Sequence, residues 1–92
     1  NINYNIAIGV ETFLGADLNS ASTDIIGNIA IGAYALDATA DNAQTGTIAI
    51  GHSALTALTT GASNTAVGYT ALSGLLTGTN NVAIGYNAAK SL

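Results

Sequence analysis

The sequence predicts an all-β fold, a parallel β-roll of about five coils with two short strands in each. Three observations predict it. A five-residue phrase ending in glycine is written five times, as Asn5-Ile6-Ala7-Ile8-Gly9, Asn28-Ile29-Ala30-Ile31-Gly32, Thr47-Ile48-Ala49-Ile50-Gly51, Asn64-Thr65-Ala66-Val67-Gly68 and Asn81-Val82-Ala83-Ile84-Gly85. The closing glycines are 23, 19, 17 and 17 residues apart. A unit of that length holds one or two short strands and buries no core alone, so the copies must stack. Within each phrase the β-branched residues alternate at period two, and glycine interrupts too often for a helix. Apolar residues make up 49% of the chain and fall into register, which argues against disorder.

The whole of 1–92 reads as one repeat segment, with cores at 5–13, 28–36, 47–55, 64–72 and 81–89. Side chains alternate across a strand. Ile8, Ile31, Ile50, Val67 and Ile84, with the residues two before them, are expected to point into the coil. Ala7, Ala30, Ala49, Ala66 and Ala83 are then expected to point out with the leading Asn. Unvarying small size on an outer face suggests close approach by a neighbouring chain. Gly9, Gly32, Gly51, Gly68 and Gly85 end each strand, where a turn needs positive φ or has no room for Cβ.

Three and four residues after each glycine stand Thr12-Phe13, Ala35-Leu36, Ala54-Leu55, Ala71-Leu72 and Ala88-Ala89. This column is expected to be the second strand, with Leu58 and Leu75 extending its packing. Asn5, Asn28, Asn64 and Asn81 recur at one offset, so their amides can hydrogen-bond from level to level; Thr47 keeps a hydroxyl there. The first two steps exceed the 17-residue unit, near 15–24 and 37–42. Insertions of that kind emerge as loops on one face of a stacked repeat. Repeats run close to both ends and there is no Met, so a segment of a longer fibre is expected.

Composition narrows the function. Lys90 is the only basic residue against five acids, and the net charge is −4. Nucleic acid needs several phosphate-neutralising cations, and anionic lipid needs a basic patch, so neither is an expected partner. No apolar run reaches 18 residues, so no membrane insertion through a helix is expected. Charged residues are 7%, against the usual quarter or so. A thin stack with so little charge is expected to have much of its surface covered by other chains.

Catalytic chemistry is not visible, and neither an enzyme nor a cofactor nor a metal is expected. His52 is the only histidine, with no Cys beside it, and reads as a turn residue. Ser53 adjoins it, but neighbours in an extended stretch face apart, which disfavours a Ser-His pair. Asp37, Asp41 and Asn42 carry hard oxygens but lack the spacing of a known calcium loop. Tyr69 and Tyr86 follow successive glycines, with His52 in the same column and Tyr34 one place later. Such rings suit packing between chains or the face of a sugar, and packing is favoured. Asp37, Asp41, Tyr69 and Tyr86 are therefore the candidate surface-binding residues.

Asn-x-Ala-Ile-Gly, then x-x-Ala-Leu, then Thr-Gly-x-Asn-Asn resembles the head repeats of YadA-like trimeric autotransporter adhesins. The stretches LTTGASNTAVGYTAL at 58–72 and LLTGTNNVAIGYNAAKSL at 75–92 look still more like repeats in phage and other viral tail fibres. The resemblance covers essentially the whole chain, most cleanly 48–92. It implies a left-handed parallel β-roll, three of which associate about a common axis into a stiff homotrimer. It also implies that the small residue of Ala-Ile-Gly lies near the subunit contact. Thr65 departs from the usual aliphatic, and the first two spacers exceed the family length.

The function expected is a structural or adhesive fibre segment that spaces or presents a receptor-binding surface. Its partners are further copies of itself and a cell-surface receptor or glycan. Its location is extracellular, on a virion as a tail fibre or on a bacterial cell surface. Two alternatives stand beside it. One is a self-assembling filament subunit, from open strand edges. The other is a monomeric ice- or surface-binding roll, from Thr59, Thr60, Thr77 and Thr79.

Overall fold

A computed structural model describes residues 2–12, 25–37 and 44–90. Phe13, the insertion near 15–24, the insertion near 37–42 beyond Asp37, and with it the candidate residue Asp41, lie outside the described residues. The described chain is all-β, with no helix. Its main sheet has five parallel three-residue strands: β2 (Ile6–Ile8), β4 (Ile29–Ile31), β6 (Ile48–Ile50), β7 (Thr65–Val67) and β8 (Val82–Ile84). They lie side by side in chain order, and the repeats pair in register: Ala7 beside Ala30, Ala30 beside Ala49, Ala49 beside Ala66, Ala66 beside Ala83. Parallel strands cannot be joined by tight hairpins, so each step returns through the rest of its repeat. The result is compact and compatible with a solenoid-like roll.

A second parallel sheet joins β1 (Ile2–Asn3), β3 (Ile25–Ile26) and β5 (Gln44–Thr45). Its bonding pattern continues past those strands, because Ser63 N–H donates to Thr45 O at 3.0 Å and Asn80 N–H to Ala62 O at 3.1 Å. This second sheet precedes the Asn column. It is not the Ala-Leu column after the glycines, the expected second strand. Leu36, Leu55 and Leu72 have φ of 53°, 53° and 52°, a left-handed conformation that no strand accommodates. They form turns, closed by bonds such as Ala54 N–H to Gly51 O at 3.2 Å. The left-handed conformation costs a leucine roughly 1–2 kcal/mol. Two gains offset it. Each of these leucines is fully buried, and each amide bonds the next rung, Leu36 N–H to Ala54 O and Leu55 N–H to Ala71 O, both at 3.0 Å.

The strand faces are the reverse of the sequence expectation. Ala30, Ala49 and Ala66 are 0% exposed and Ala83 only 7%, so these four point inward, while Ala7 on the edge strand is exposed. Ile29, Ile31, Ile48 and Ile50 are half-buried, while Val82 and Ile84 are each 70% exposed. The branched aliphatics therefore point outward. The reason is width. The interior is already occupied by Leu36, Leu55, Leu58, Leu72 and Leu75 from the opposite side, so the sheet can contribute only methyl groups. Alanine is small because the coil is thin, not because another chain presses on it.

Asn28, Thr47 and Asn64 share that inner face and are 0% exposed. The expected amide column is present, inside rather than outside. Asn28 N–H and Nδ2 both donate to Asn5 Oδ1, at 3.0 and 3.1 Å. Asn81 repeats both bonds to Asn64 Oδ1. Thr47 N–H donates to Asn28 Oδ1 at 2.8 Å, so the threonine still uses the amide below it. Buried amides are tolerated because their polar atoms are bonded.

The glycine column answers to both expected causes. Gly32 has φ of +126°, and a Cβ there would lie 2.7 Å from the carbonyl carbon and oxygen of Gly51. The backbone of one rung thus rests directly on the glycine of the next.

Candidate functional site

The outer face of the five-stranded sheet is the surface with most to explain. It carries two columns, Ile6-Ile29-Ile48-Thr65-Val82 and Ile8-Ile31-Ile50-Val67-Ile84, held level by the in-register pairing. Nine of these ten side chains are aliphatic and none is charged. Strand–strand bonds beneath fix their spacing; Ile29 N–H donates to Thr47 O at 2.9 Å and Gly51 N–H to Ile31 O at 2.7 Å. Contiguous apolar surface of this kind is uncommon on a monomer in water.

Beyond the glycines runs a second column, of rings. Tyr34 meets His52 edge-on, with centroids 5.5 Å apart. His52 and Tyr69 stack at 5.2 Å and 14°, and Tyr69 and Tyr86 at 5.5 Å and 9°. Tyr34 joins the column although it stands one place later in its repeat, which is why its ring is turned. Tyr69 and Tyr86 are 50% and 75% exposed, but their facing surfaces are spent on each other. A sugar laid flat would reach only the outer face of Tyr86, so the geometry disfavours flat stacking along the column.

Ser53 Oγ and His52 Nδ1 are 3.1 Å apart, contrary to the expectation that these neighbours face apart. Ser53 is left-handed, with φ of 60°, and this brings its side chain round to the ring. The same conformation holds at Glu11, Tyr34, Thr70 and Asn87, the equivalent places in the other repeats. It belongs to the fold rather than to an activated serine. Beside it, the single Thr70 hydroxyl proton is placed to go either to Tyr69 O at 2.7 Å or to Asn87 Oδ1, the second of which ties rung to rung.

Asp37 Oδ1 accepts a bond from the Thr56 hydroxyl at 2.8 Å. This carboxylate thus ties two rungs. Among the described residues, no group of three or more His, Cys, Asp or Glu is placed to hold a metal. None of the described residues belongs to a helix long and apolar enough to cross a membrane. Thr60 and Thr77 pair by a single parallel bridge, and the Thr59 hydroxyl is turned back to Leu76 O at 3.0 Å. Among the described residues the threonine array reaches two rungs, too short for a flat lattice-matching face. Leu76, 62% exposed beside it, had no signal in the sequence beyond following the buried Leu75.

The chain matches no protein-family model, no curated protein and no solved structure. What it can do is therefore read from its own surfaces.

Proposed function

We propose that the chain is a structural and adhesive segment of an extracellular fibre, borne on a virion as a tail fibre or on a bacterial surface. In this reading it is a left-handed parallel β-roll, and three copies associate about one axis. It spaces or presents a receptor-binding surface and performs no catalysis. The observation that carries the proposal is the uncharged outer face of two aliphatic columns running the height of the main sheet. Burial of such a face is worth about 25 cal/mol per Å² of apolar surface removed from water, a direct drive to associate. The resemblance of the repeats to YadA-like heads and tail fibres supplies the number three. The surface that meets the sister chains is the Ile/Val face, not the alanines. Avidity toward a repeated receptor or glycan would follow from having three copies on one rod.

A gel run in SDS without boiling tests this. The expected band migrates at three times the 9.0 kDa chain mass and collapses to the monomer on boiling. A chain that sediments as a monomer at micromolar concentration would overturn the proposal.

One observation favours a filament as a second reading. Among the described residues, strands β2 and β8 are the two edges of the main sheet, where a further strand could add. Micrographs showing rods that lengthen with concentration would support it over a discrete trimer.

A further inference from the structure

We propose that Thr65 sets the rung-for-rung register between associated copies of this chain, an inference that rests on the trimeric reading above. Thr65 is the one polar side chain among the ten that make up the outer face. It stands between Ile48 and Val82 in its column, with its backbone held by a bond from its N–H to Asn81 O at 2.8 Å. Among the described residues its hydroxyl meets no partner. Valine, nearly the same shape, would serve the sheet equally well and would not bring a hydroxyl to an apolar surface.

The occupant of this face is a second copy of the chain, for two reasons on the molecule itself. The face bears no charge, so it offers nothing to a charged partner and everything to an uncharged one. It is also periodic and rigid, at the strand spacing of about 4.8 Å. Only a partner with the same period keeps its side chains in the hollows of this face over five rungs.

That same periodicity creates a difficulty. Aliphatic rungs are nearly interchangeable, so a sister chain displaced by one rung would still match four of its five rungs. Register is weakly specified wherever the pattern repeats without a marker. A lone polar group in an apolar contact is such a marker, as a single buried Asn is in a coiled coil. In register, the Thr65 hydroxyls of sister chains lie at one level, where threonines pair by hydrogen bonds. Displaced by one rung, each hydroxyl faces Ile48 or Val82 and loses its partner.

The test uses two single-cysteine chains, Ile50→Cys and Val67→Cys, mixed, unfolded, refolded together and oxidised. Disulfides between like positions report the aligned assembly, and disulfides between position 50 of one chain and 67 of another report slippage. With Thr65 present, like-position links are expected to exceed the unlike by on the order of tenfold, the ratio set by one unsatisfied hydroxyl. Adding Thr65→Val is expected to raise unlike links several-fold, while the assembly keeps its mass and melts no lower. Thr65→Ser, which keeps the hydroxyl, is expected to restore alignment. An unchanged link ratio in Thr65→Val, with the trimer intact, overturns the role of Thr65 and leaves the trimer standing. A monomeric mass with no interchain links overturns the trimer itself.

Discussion

Ala49 and Ile50 are adjacent in one strand and meet opposite surroundings. The methyl of Ala49 has no exposure at all, while Ile50 lies on the outer face. Period two in the sequence assigns residues to two faces but does not say which face is inside. The ordinary expectation places the larger apolar group in the core, and here it fails. Five leucines delivered from the far side already fill the space, and the inner face also carries the bonded amides of Asn28 and Asn64. The leucines at the fourth place after Gly32, Gly51 and Gly68 were the signal that the interior had its large residues elsewhere. Ala49→Val tests the corrected orientation. An extra pair of methyls has no room, so a loss of about 1–3 kcal/mol is expected in thermal denaturation followed by circular dichroism. No measurable loss would mean that the alanine faces open space.

Columns, rather than single contacts, hold the rungs together. The asparagine column was legible in the sequence because its residues recur at one offset, and stacked amides bond by the same geometry at each level. Its burial was not legible, since an Asn is usually a surface residue and only the complete set of bonds makes the interior acceptable. Asn64 accepts both the N–H and the Nδ2 of Asn81 and donates to Gly78 O at 2.8 Å. Asn64→Ala would orphan the Asn81 amide and the Gly78 carbonyl together, and a loss of about 2–4 kcal/mol is expected from chemical denaturation. Asn64→Thr is expected to cost less, because Thr47 already fills the equivalent place. The Ala-Leu column shows the limit of pattern reading. Its apolar pair was correctly placed in the core, yet its backbone is a left-handed turn at Leu36, Leu55 and Leu72, which no residue preference announces.

Across the whole molecule the imbalance is between surface and charge. Ninety-two residues carry one Lys and five acids, and the outer face of the main sheet carries no charged side chain at all. The parallel stacking was legible in the repeats. Which residues make up the uncharged outer face was not, because that follows from which side of the strand the interior takes. Whether sister chains cover that face is measured most directly by sedimentation equilibrium of the native chain beside Ile50→Glu. A carboxylate at the centre of the contact would lose its water without gaining a partner, at a cost of several kcal/mol per chain. The native chain is predicted to sediment at three times 9.0 kDa and Ile50→Glu at 9.0 kDa, with β-sheet circular dichroism retained. Equal masses for the two, whether trimer or monomer, would contradict it.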